Sequence, residues 1–157
     1  MSTPAELDFT PDQFVEVINA WPTFAAMKVA VTEIASDWTH VVVRMELTAE
    51  NGNFFGTAFG GTMFAMTDPF LPILTDRQLG PGYACWDSHA EIDFVRPGRT
   101  AVTARIEVPA TVVEEIRQAT AGGDKHLRWF EIDLTDEEGQ VVARLRRQLY
   151  VRRLREG

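Results

Sequence analysis

From Phe59 to about Leu79 the chain is apolar nearly all round a helical circumference, with Met63, Phe64, Ala65, Met66, Phe70, Leu71, Ile73 and Leu74 leaving no polar face. A helix of that kind is wrapped by other structure. With 157 residues there is room for one core, so the wrapping has to come from the same domain. Gly56, Gly60 and Gly61 lead into the helix and imply tight backbone contact at its start. Asp68, Pro69 and Pro72 interrupt the run and make it a poor membrane span.

The flanking segments supply the wrapping. Thr10 followed by Pro11 and the pattern Phe14, Val15, Ile18 predicts a short capped helix ending before Pro22. From Met27 the period becomes two. Val41, Val43, Met45 and Leu47 share one strand face, with His40, Val42, Arg44 and Glu46 on the other. After the buried helix, four more alternating segments centre on Ala90–Phe94, Val102–Val108, Phe130–Leu134 and Val141–Val151. Turn signals at Pro97-Gly98, Gly122-Gly123-Asp124 and Asp136–Gly139 separate them. The expectation is an α+β fold: one domain over residues 1–157, with an N-terminal helical segment (1–26) and a core (27–153) in which a curved antiparallel sheet wraps one long central helix.

Charge narrows the partners. The net charge of −8 argues against a nucleic-acid-coating protein. Residues 1–140 hold 9 basic and 22 acidic side chains, a net −13, whereas residues 141–157 hold 6 and 1, a net +5. The single cysteine, Cys85, excludes an internal disulfide framework, and no signal peptide is visible, so a cytoplasmic location is expected. His40, His89 and His126 share no metal-ligand spacing, so no metal site is expected.

Candidate chemistry gathers at the start of the central helix. Backbone N–H groups there are unpaired and carry partial positive charge, and Gly60 and Gly61 would let a ligand oxygen approach them. Asp68, about two turns on, is a candidate general base or nucleophile, because a carboxylate in apolar surroundings is costly unless paired. The same residues have plainer readings. A glycine pair serves helix packing, and Asp68 caps a second helix beginning at Pro69. Met63, Phe64, Met66 and Phe70 read as core or as an acyl tunnel. Asp87, Glu91 and Asp93 read as a polar strand face, and Ser88 and His89 as surface, interface or site residues. Among the basic residues, Arg96 and Arg99 are favoured for an anionic ligand over the Arg144–Arg155 group. In that group Arg144 and Arg146 share a face and Arg147 falls on the opposite one.

The segment Asn53, Gly56, Phe59-Gly60-Gly61 and Asp68, followed by Ile92–Arg99 with its Arg-Pro turn and by Gly139–Ala143, resembles the hotdog-fold thioesterases over residues 27–153. The resemblance is to the PaaI-like acyl-CoA thioesterases and their DUF4442 relatives in particular. It implies a homodimer or homotetramer that hydrolyses a fatty or aryl acyl thioester without a cofactor, coenzyme A being part of the substrate. The amides of Gly60 or Gly61 would hold the thioester oxygen. Asp68, reaching from a partner subunit, would activate water or attack the carbonyl, and Asn53 would orient water or carbonyl. Phe59, Thr62, Met63, Ser88, His89, Arg96 and Arg99 would line the substrate. Phe59 stands where the family has His, and Pro69 follows the acid directly. These two departures support an alternative, a non-catalytic acyl-CoA or fatty-acyl binding protein.

Overall fold

The computed structural model describes residues 9–154; residues 1–8 of the expected N-terminal segment, and Arg155, lie outside them. Thr10 caps α1 (Pro11–Asn19) in a capping box. The Gln13 N–H donates to the Thr10 hydroxyl at 3.3 Å, and the Thr10 N–H donates to the Gln13 side chain at 3.0 Å. Pro22 does more than end this helix. It opens a second one, α2 (Pro22–Met27), which Lys28 closes in the left-handed conformation.

Six strands form one antiparallel sheet: β1 (Val29–Ile34), β2 (His40–Met45), β3 (Tyr83–Phe94), β4 (Val102–Glu107), β5 (Lys125–Thr135) and β6 (Val141–Arg153). Their spatial order is β1-β2-β4-β5-β6-β3, which leaves β1 and β3 at the edges. The helical run Gly60–Leu79 packs against this sheet, the hotdog arrangement expected from the sequence. Met66, Phe70, Leu71 and Leu74 are fully buried against Val41, Val43, Ile106, Leu134, Leu145 and Leu149, so the alternating strand residues and the all-round apolar helix share one core.

The run is divided into α3 (Gly60–Ala65) and α4 (Phe70–Leu79) by a turn at residues 66–69. Pro69 cannot donate, and the preceding Asp68 N–H bonds back three residues, to Ala65, rather than four. The turn brings Thr67 and Asp68 out of helical register, with consequences for the site. One element was not legible. Helix α5 (Ala110–Ala119) links β4 to β5 and buries Val113 and Ile116, but its Pro109 start offers no side-chain cap and Thr111, Val112 and Val113 favour strands.

Strand β3 is irregular at one place. Asp87 pairs with Leu149 and His89 with Gln148, so Ser88 is an extra residue, a β-bulge. Beyond it Ala90 and Ile92 face the helices opposite Arg147 and Leu145, as the alternation predicts. Before it the parity is reversed. Asp87 therefore leaves the outer face it would share with Glu91 and Asp93 and turns inward, correcting the reading of all three as one polar face.

Candidate active site

The inward turn of Asp87 meets an arginine. Arg147 lies on the inner face of β6 and is 1% exposed. Its Nε donates to the Thr67 hydroxyl at 3.0 Å, and its Nη1 to Asp68 Oδ1 at 3.1 Å and to Asp87 Oδ2 at 2.8 Å. Nη2 donates to the Phe64 carbonyl, and the guanidinium lies 4.8 Å from the Phe64 ring centroid. A guanidinium offers five N–H donors in a rigid fork, which suits it to hold several acceptors at once. Asp87 is 14% exposed. Burial pushes its carboxyl above the ordinary range, Arg147 pulls it back, and the charge of Asp68 pushes it up again. Asp68 itself is not enclosed. In this chain it is 65% exposed, so the expected apolar burial is replaced by one anchored oxygen and an open side.

Gly60 and Gly61 stand at the start of α3, where Phe59 is the N-cap and makes no side-chain hydrogen bond. Neighbouring rings lie close over both glycines. A Cβ on Gly60 would lie 2.8 Å from the Phe94 ring, and one on Gly61 2.7 Å from the Phe59 ring. Asn53 spends its side chain on its own loop: Oδ1 accepts from the Phe55 and Thr57 amides, and Nδ2 donates to the Thr57 hydroxyl at 2.9 Å. One amide hydrogen is left over. Two clefts flank the glycines. One, about 550 Å³, is lined by Asn53, Gly60, Met63, Arg96 and Arg99; the other, about 600 Å³, by Asn53, Phe59, Gly61 and Thr62. The sequence-predicted residues of the glycine loop and the Arg-Pro turn therefore converge. Asp68 does not join them. It lies beyond the end of α3, in the 66–69 turn, and lines neither of the two clefts.

Ser88 and His89 lie elsewhere again. The Ser88 hydroxyl donates to Gln148, and His89 meets the edge of Trp129 on the outer face of the sheet. The C-terminal arginines are mostly paired across strands, Arg144 with Asp133 at 3.3 Å and Arg146 with Glu91 at 2.6 Å. The basic end of the sequence thus neutralises its own sheet. Among the described residues no His, Cys, Asp or Glu cluster is arranged to hold a metal ion, and no helix is long and apolar enough to cross a membrane.

A third cleft, about 840 Å³, is walled by Phe14, Ile18 and Trp21 on one side and by Pro69, Ile73, Tyr83 and Trp86 on the other. Met66 and Phe70 are fully buried core residues and line none of these three clefts. Pro69 and Trp86 in the wall of the third cleft are the chain neighbours of Asp68 and Asp87. Asp76 and Cys85 are among the groups that line it. Burial raises the Asp76 carboxyl, and burial together with the charge of Asp76 pushes the Cys85 thiol up to about 12. The thiolate is the reactive form. Cys85 in the native protein is therefore expected to react with a disulfide reagent at pH 8 at least ~100-fold more slowly than in the unfolded chain. Equal rates would contradict this placement.

The sequence profile of a family described only as a domain of unknown function, DUF4442, matches residues 12–151. The chain belongs to the DUF4442 family. Solved structures similar to this DUF4442 protein include PA5026 of Pseudomonas aeruginosa, described as a protein of unknown function and probable thioesterase. It is 18% identical, with 98% of each chain covered and a TM-score of 0.78. The thioesterase HI1161 of Haemophilus influenzae is 18% identical over 96% of this chain and 95% of that one, with a TM-score of 0.68. The E. coli PaaI protein from the phenylacetic acid degradation operon is 21% identical over 89% of each chain, with a TM-score of 0.61. At these identities the likeness establishes a shared fold. No functionally curated protein matches the DUF4442 sequence.

Proposed function

We propose that this protein is an acyl-CoA thioesterase that works as a homodimer or a pair of dimers. The observation that carries the reading is the setting of Asp68, an anchored carboxylate with one open side, adjacent in the chain to the wall of an apolar groove. A groove of about 840 Å³ falls within the usual size of a ligand pocket and suits a fatty or aryl acyl group. Arg96 and Arg99, beside the glycine loop, suit the phosphates of coenzyme A.

In the reaction, the Asp68 carboxylate takes a proton from water as the water oxygen bonds to the thioester carbon. The negative carbonyl oxygen is held by the Gly60 or Gly61 amide of a second copy. The C–S bond then breaks, and the leaving thiolate recovers the proton from Asp68, giving a free acid and a thiol. Direct attack by Asp68, through an anhydride that water opens, yields the same products. The separation of Asp68 from its own glycines calls for the second copy. The open edge of β3, twelve residues long, is a surface on which such a copy can pair, and the nearly wholly exposed Phe54 and Phe55 extend the apolar surface beside Asn53. Light scattering is expected to give about two or four times the 17.6 kDa of one chain, and a monomer at working concentration would exclude the shared site.

The test is release of free thiol from a panel of fatty and aryl acyl-CoAs. Turnover above buffer for at least one supports the reading, and none for any chain length overturns it. Phe59, half-exposed and lying against Gly61, favours a second reading in which the acyl group binds without turnover. Calorimetric acyl-CoA binding without thiol release would select it.

A further inference from the structure

Strand β6 reaches the site through one side chain. Arg147 opposes Ala90 on β3 and Phe130 on β5, and its guanidinium reaches the 66–69 turn. There the Thr67 hydroxyl and the Phe64 carbonyl fix two of its nitrogens, and Nη1 is shared by Asp68 and Asp87. The Ser88 bulge is what turns Asp87 inward to take its share.

We infer that Arg147 is the positioning residue of Asp68 and that Asp87 is the second carboxylate of the same site, the two acids being coupled through one guanidinium nitrogen. The inference rests on the reading of Asp68 as the reacting acid. Because Arg147 is buried and is also held by Thr67, Asp87 and the Phe64 carbonyl, Asp68 Oδ1 is anchored while the Asp68 side chain stays mostly exposed. Asp87 divides the positive charge. The charged groups facing Asp87 are Arg147 from β6 and Asp68 from the turn; Tyr83 and Cys85 precede it on the inner face of β3. Its Oδ1 is buried and has no hydrogen-bond partner among the described residues, so Oδ2 and Arg147 carry its recognition.

The experiment compares full-length Asp68→Asn, Arg147→Lys and the double variant Asp87→Leu/Arg147→Met. The double variant exchanges a buried ion pair for apolar residues, a change that leaves many proteins folded. It is expected to lose about 100-fold in kcat with KM within about threefold, because orientation and not binding is removed. Arg147→Lys is expected to recover part of that loss. A folded double variant, or Arg147→Lys, with wild-type kcat while Asp68→Asn is inactive overturns the inference and leaves Asp68 in place. Wild-type turnover in Asp68→Asn instead removes the reading of Asp68 itself. A readout free of turnover is the carbon-13 carboxyl titration of Asp87. Its midpoint is expected to fall in Asp68→Asn and to rise in Arg147→Gln, and a midpoint unmoved by both overturns the coupling.

Discussion

Asp68→Ala is expected to lower the kcat for acyl-CoA hydrolysis by about 10²–10⁴-fold, the usual loss when a positioned acid–base group is removed. The variant is expected to stay folded, with a melting temperature close to that of the wild type. Asp68 is mostly exposed, and Arg147 keeps Asp87, Thr67 and the Phe64 carbonyl as partners when it is gone. The loss therefore belongs in kcat rather than in the amount of native protein. Thiol release followed together with circular dichroism checks both halves. An Asp68→Ala enzyme with the wild-type rate would show that the proton transfer is made elsewhere.

Arg147→Met is expected to have the opposite profile, a large loss of stability. Removing one partner of a buried ion pair costs about 3–5 kcal/mol, because the other charge is left uncompensated. Here the orphans are Asp87, the Thr67 hydroxyl and the Phe64 carbonyl. The loss carries a pH signature. Burial already raises the Asp87 carboxyl, so the folded chain binds that proton more tightly than the unfolded chain. The ionisation of Asp87 then subtracts from stability as pH rises from the ordinary aspartate value through the folded one. Without Arg147 the folded value rises further. The deficit of Arg147→Met is expected to be greatest at neutral pH and to shrink toward about pH 3, below the ordinary aspartate value, where Asp87 is protonated in the folded and the unfolded chain. Urea unfolding at both pH values measures it. A deficit of the same size at each would mean that lost packing dominates over lost charge.

Period alone carried the sheet and the central helical run, though not α2 or α5. An apolar helix with no polar face and segments alternating in twos admit few arrangements, and the sheet realises one of them. Two features of the site were hidden for different reasons. Arg147 was visible as the arginine on the wrong face of β6, opposite Arg144 and Arg146, but alternation says only that a charge points inward and not what it meets. Asp87 was masked by the Ser88 bulge, since one extra residue inverts parity and nothing in Asp87-Ser88-His89 announces it. The break at residues 66–69 was readable from Pro69. Its effect, handing Thr67 and Asp68 to an arginine 80 and 79 residues away, depends on tertiary contact.

The groove beside Asp68 is bounded on one side by α1 and Trp21, which precede the first strand. That side packs on the sheet through Phe14 and Ile18 and is tied to it by the Asn19 side chain, which donates to the Val31 carbonyl at 3.0 Å and accepts from the Val31 amide at 2.7 Å. The acid and this one side of the groove are thus held by separate parts of the chain. Exchanging the first helices between relatives would retune which tail is accepted while the reacting groups stay as they are, so diversification of substrate and retention of chemistry are separable in this architecture.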